Sequence, residues 1–174
     1  DLDAPVRRPQ IVTYTPVMAG DGSDLVAAIA TIQFFGDGEA LAAAIDDAFP
    51  GSTITLIGGE GARPSFGLRQ PGMLRALDAR ELSDGTLRYV LLVAALLSPR
   101  PPELMVLNEP EANLHPSLLL PLARLLTATA RSCQIIVVSH SSALLDALRA
   151  SGDVGDIALE KELGETHTQD RFGP

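Results

Sequence analysis

Leu104-Met105-Val106-Leu107 is a short apolar run that ends in a polar pair, Asn108-Glu109. In a nucleotide hydrolase such a pair orients the shell of a magnesium ion and polarises the attacking water. A strand that simply stops at a Glu-Pro turn spells the same letters, so by itself the run is moderately specific. His140 follows a second apolar run, Ile135-Ile136-Val137-Val138. A histidine there hydrogen-bonds a phosphate or a water, or it caps the next helix, which is the better reading for a lone histidine. Ser83-Asp84-Gly85-Thr86 opens a long apolar stretch. The free N–H groups at a helix start favour an anion such as phosphate. In isolation a plain N-cap is the better reading of these residues.

The elements that position these groups follow from pattern. Leu82–Leu97 reads as a strongly apolar helix, broken by the prolines of 99–102. Leu104–Leu107 and Gln134–Ser139 read as strands buried on both faces. Pro116–Arg131 reads as a helix with proline in its first turn, Ser142–Arg149 as another helix, and Ile157–Leu159 as a third strand. Strands alternating with helices imply a parallel sheet, with chemistry beyond the carboxyl ends of the strands. Asn108-Glu109 and Ser139-His140 fall at such ends. The first half is less informative. Residues 1–22 read as a linker or extended entry. Residues 20–24 read as a turn leading to a helix cap. Leu25–Phe35 and Glu39–Phe49 read as amphipathic helices, and Ser52–Ile57 and Ser65–Gln70 as paired strands around a loop at Gly58–Pro64.

Composition bounds the function. With 174 residues, 46% hydrophobic and 20% charged, the chain is long enough for one domain with a real core. The longest apolar runs fall far short of a membrane span. A formal net charge of -9 argues against a free-standing nucleic-acid-binding module. Arg63, Arg69, Arg75, Arg80 and Arg88 read as a solvated surface. Cys133, the single cysteine, fits a reducing cytoplasm. The first residue is Asp1 rather than Met, which reads as a fragment, a processed chain or a late start.

Taken in order, the motifs narrow the reading. Residues 82–90 lead through an Ala/Leu helix to a proline break, the Leu-Asn-Glu-Pro strand, Leu114-His115-Pro116 and then Val137-Val138-Ser139-His140. The series resembles the C-terminal half of an ATP-binding-cassette ATPase: signature motif, Walker B, D-loop and switch histidine. The run Glu109-Pro110-Glu111-Ala112-Asn113-Leu114-His115-Pro116 is closer to the SMC-related, RecF-like AAA ATPases than to membrane transporters. The resemblance covers about residues 82–141. It implies a P-loop NTPase-like α/β fold, with 82–174 the C-terminal part of the ATPase domain and 1–81 a segment leading to the signature.

By this resemblance Glu109 matches the carboxylate that activates water, and His140 the histidine that senses the γ-phosphate. Asn108 sits at the magnesium-orienting position. Ser83 and Gly85 match signature residues that contact the nucleotide of an opposite subunit, and Asn113 and His115 fall in the D-loop. ATP and Mg2+ are the implied cofactors, and a homodimer closed through the nucleotide sites is the implied assembly. The cytoplasm is the implied location, with DNA or a partner protein, and DNA repair, chromosome handling or phage defence, as the setting.

Three departures qualify the match. Asn108 carries no charge where an aspartate is expected. Asp84 replaces the first signature glycine, and its charge would repel a phosphate unless it turns away. His115 replaces the usual D-loop aspartate. A P-loop lysine is also missing: Lys161 is the single lysine and is followed by Glu162-Leu163. The P-loop is therefore expected upstream or on another chain. The competing readings are a nucleotide-gated interaction module with little turnover and an unrelated parallel α/β domain.

Overall fold

Residues 25–32 contain no charged side chain, and a helix that is apolar all round belongs inside a protein. In the computed structural model, which describes residues 5–58, 63–152, 154–162 and 165–169, α1 (Leu25–Phe35) is buried along its first eight residues. It is thus a central helix rather than an amphipathic one. Its first turn is not capped from Asp24, whose carboxylate accepts from the Ala19 N–H (2.9 Å). Instead, Gln10 reaches across: its Oε1 accepts from the Val26 N–H (2.9 Å) and its Nε2 donates to the Gly22 carbonyl (3.2 Å). With Val6 and Arg7 also buried, the entry segment is docked and is no loose linker.

α2 (Gly38–Ala48) is amphipathic as expected. Asp37 accepts from the Ala40 N–H, and Leu41 and Ile45, one turn apart, face the core. β1 (Thr53–Ile57) pairs antiparallel with β2 (Ser65–Arg69), which pairs antiparallel with β3 (Leu77–Asp78). Part of the loop expected at Gly58–Pro64 lies outside the described residues. α3 (Asp84–Leu96) follows and buries Leu87, Tyr89, Val90 and Val93. Burial pushes the Tyr89 phenol up, and its ring stands edge-on to Phe49 at 5.6 Å.

β4 (Leu104–Asn108) and β5 (Gln134–Val138) pair in parallel, in register from Leu104–Gln134 to Asn108–Val138. The crossover between them is a short 3-10 turn, Pro116–Leu118, running into α4 (Leu119–Thr129). α5 (Ser142–Ser151) follows β5 and packs on α4. Leu122, Leu126, Leu144 and Leu148 belong to one core with α1, α2 and α3. The two parallel strands are buried on one face only. Met105, Leu107, Ile135 and Val137 pack on the core, whereas Leu104, Val106, Ile136 and Val138 are 47%, 59%, 44% and 42% exposed. A run of apolar residues fixes the extended conformation, but not what covers each face. The last strand expected also differs in its partner. β6 (Ala158–Glu162) pairs antiparallel with β7 (Glu165–Gln169) in a separate hairpin and is not bonded to β5. Cys133 is buried and free. Among the described residues, no helix is long and apolar enough to cross a membrane.

Candidate functional site

The sheet ladder runs one residue past β4, because the Glu109 N–H donates to the Val138 carbonyl (2.8 Å). At that point the backbone turns: Glu109 takes a left-handed conformation, with φ 46. Such a backbone is unfavourable for a residue with a Cβ unless neighbours hold it. Arg88 of α3 does so, its Nη2 donating to the Glu109 carbonyl at 2.8 Å and its Nε to the Pro110 carbonyl at 3.5 Å. Arg88 is therefore not simply a solvated surface arginine. Arg75 fits that description better, since it pairs with Glu81 at the exposed surface and draws the Glu81 carboxyl down to about 2.

The turn presents the Glu109 carboxylate to the end of β5. His140 Nε2 lies 3.7 Å from Glu109 Oε1, and both side chains are exposed. Asn108, directly across from Val138, ends β4. Beside this pair, the Ser139 hydroxyl donates to Glu111 Oε1 and accepts from the Ser141 N–H (3.0 Å). Glu111 Oε2 is buried without a hydrogen-bond partner. The acidic letter of Glu111, two residues past Glu109, was the signal for it. Among the described residues no three His, Cys, Asp or Glu side chains gather to hold a metal. The side-chain oxygens of Asn108 and Glu109 at a strand end are the ones that would help hold a magnesium ion, a hard cation that takes oxygen donors.

A second group forms elsewhere. Ser83 caps α3, accepting from the Thr86 N–H (3.1 Å), and its hydroxyl lies 2.9 Å from that of Thr86. His115 caps the turn before α4 by accepting from the Ser117 N–H (3.3 Å). Between the two caps runs the 109–115 loop, with Asn113 also left-handed at φ 63. Ser83, Gly85, Thr86, Asn113, His115 and Ser117 line a shallow cavity of about 410 Å3. Gly85 is required there by contact: a Cβ on it would meet the Asn113 carbonyl oxygen at 2.6 Å. Ala48, Phe49 and Leu118 form an apolar wall of this cavity, and the hydroxyls of Ser83, Thr86 and Ser117 with the His115 imidazole form a polar wall at a helix start, the side that suits an anion.

Four of the seven residues singled out in the sequence thus share one concavity. Glu109 and His140 face each other at the strand ends beside Asn108, and none of these three lines the cavity. Arg7 escaped the sequence reading because its partners lie more than seventy positions away.

A family profile described as "AAA domain, putative AbiEii toxin, Type IV TA system" matches residues 18–146. No curated protein matches the chain. Solved structures share its fold. One, from work on "ATP-driven dimerization and DNA stimulated activation of SMC ATPases", superposes with a TM-score of 0.63 at 15% identity, covering 82% of this chain and 88% of that one. An Smc head bound to the C-winged helix domain of ScpA gives 0.63 at 15%, covering 88% and 54%. The SMC head domain from Thermotoga maritima gives 0.57 at 21%, covering 84% and 50%. This chain accordingly spans about half the length of the last two. The fold is that of a P-loop NTPase.

Proposed function

The chain belongs to this AAA-domain family of ABC- and SMC-like ATPases, and from that premise we propose that it supplies half of each of two shared nucleotide sites. Glu109, His140 and Asn108 act on the ATP held by their own copy. Ser83, Gly85, Asn113 and His115 close on the ATP of the other. The observation that carries this reading is the separation of the two groups. One chain holds a hydrolytic pair and an anion-suited cavity, but the pair does not line the cavity. Two copies facing head-to-tail bring each pair to the partner's cavity.

In that arrangement Glu109 takes a proton from the attacking water, and His140 donates to the γ-phosphate. Asn108 is the residue that would help hold a magnesium ion, whose charge would stabilise the phosphoryl transfer when bound. The P-loop that cradles the β- and γ-phosphates comes from residues other than these 174. Hydrolysis removes the γ-phosphate that pins Ser83 and releases the pair, so ATP serves as a removable clamp. The setting proposed is a cytoplasmic one, in DNA repair or phage defence, with DNA or a partner protein bound. The family's description adds a type IV toxin–antitoxin system as a further candidate setting.

Complementation tests the sharing. In the complete protein, Ser83→Ala and Glu109→Gln each abolish steady-state turnover when assayed alone. Mixed, they form heterodimers with one intact site, and activity returns. A mixture as inactive as its components shows that Ser83 and Glu109 do not serve one shared site.

A second reading, motivated by the neutral Asn108, is a nucleotide-gated interaction module with little turnover. Asn108→Asp separates the two. A large rise in rate supports the gated module, and an unchanged rate supports the hydrolase.

A further inference from the structure

Asp84 stands between Ser83 and Gly85, two residues that line the cavity, yet Asp84 itself does not line it. Its carboxylate is paired with Arg7, whose side chain is 5% exposed against 70% for Asp84. The same guanidinium donates from Nη1 to the Ala79 carbonyl (2.8 Å), to the Leu82 carbonyl (2.9 Å) and, at longer range, to the Arg80 carbonyl (3.5 Å). Its contacts thus all fall on residues 79–84, the stretch that leads into α3. A buried cation needs its donors satisfied. The planar fork of an arginine can grip several carbonyls and a carboxylate at once, which an ammonium group cannot do with the same geometry.

We propose that Arg7 is a positioning residue for the phosphate-facing end of α3: it neutralises Asp84, holds that carboxylate off the cavity and clamps the backbone that sets Ser83. The proposal rests on the reading of Ser83 as a residue that meets the nucleotide of a second copy. It explains how an acidic residue is tolerated beside a phosphate site. Released from Arg7, the Asp84 carboxylate is free to swing toward the cavity and repel the incoming phosphate.

The test compares ATP-dependent dimerisation of the complete protein, followed by light scattering, with its thermal unfolding midpoint. Arg7→Met weakens the ATP response at least about tenfold, as expected for a like charge left unpaired within a few ångströms of a phosphate. Adding Asp84→Asn to Arg7→Met restores most of the response while leaving the lowered unfolding midpoint where it was. A purely structural arginine predicts that the ATP response stays as weak in the double variant as in Arg7→Met. A double variant as weak as Arg7→Met, in a protein where Ser83→Ala is also impaired, overturns the proposal alone. If Ser83→Ala responds to ATP like the unaltered protein, the parent reading fails and this inference fails with it. Should the Arg7 variants not fold, the exposed partner carries the test. Asp84→Glu, one methylene too long for the fork, dimerises at least several-fold more weakly with ATP than Asp84→Asn. Equal behaviour of Glu and Asn at position 84 overturns the proposal.

Discussion

The Glu109 backbone is held from two sides, by the Val138 carbonyl and by Arg88, and neither bond involves its side chain. Glu109→Gln therefore keeps the turn and removes only the carboxylate. The variant is expected to bind ATP and to lose about 10²–10⁴ in hydrolysis rate, the usual worth of a general base. With hydrolysis blocked, light scattering shows a dimer that persists with ATP and is absent without it. A fully active Glu109→Gln protein would leave the Glu-Pro sequence as a strand-ending turn. At Gly85 the constraint is steric. Gly85→Ala drives a methyl group against the Asn113 carbonyl, a backbone atom that cannot rotate away. The expected cost is about 1–3 kcal/mol, as for overpacking elsewhere, read as a lowered urea midpoint. Part of the ATP response is lost with it, because the cavity wall shifts.

At the scale of elements, sequence and structure agree wherever local pattern decides and part where distant partners decide. The apolar runs at Leu104–Leu107 and Gln134–Val138 are short and bounded, the second rich in β-branched residues, and they form adjacent parallel strands. Ser83 reads as a helix start and is the N-cap of α3, and Pro116, read as opening a helix, begins the 3-10 turn that leads into α4. Glu109 and His140, 31 positions apart in sequence, meet because β4 and β5 end side by side. The docking of residues 5–10 was not legible, since Gln10 and Arg7 are ordinary polar letters whose partners lie in α1 and before α3. The burial of α1 was visible in principle, in the run of twelve uncharged residues at 25–36, of which the first eight are buried. Nor could the one-sided cover of β4 and β5 be read, because Val137 and Val138 are the same letter. The structure separates them: Val137 packs on the core and Val138 is 42% exposed. Val137→Ala should cost about 1–2 kcal/mol of stability and Val138→Ala less than about 0.5 kcal/mol. Chemical denaturation of the two variants of this chain checks the difference.

Across the whole molecule, one core joins α1, α2 and α3 to α4 and α5, so the anion-suited cavity and the strand-end pair ride on one body. The pieces for cradling a triphosphate are incomplete in it, since the one lysine, Lys161, lies in β6. Positioning supplies most of phosphoryl-transfer catalysis. The 174-residue chain by itself is thus expected to show no magnesium-dependent ATP turnover above background, and robust turnover would contradict the assignment. The open face of β4 and β5 bears on a different matter, the fate of the chain while it is being made. Among the described residues each of these strands bonds one neighbour only, so an outer row of amide and carbonyl groups borders the exposed Val106 and Ile136. That combination is a template for adding a strand from another nascent copy. Soluble yield, rather than any step of the chemistry, is then what this surface limits. A charge placed there, as in Val106→Lys, should raise the yield of the chain expressed alone while spoiling whatever surface normally covers the sheet.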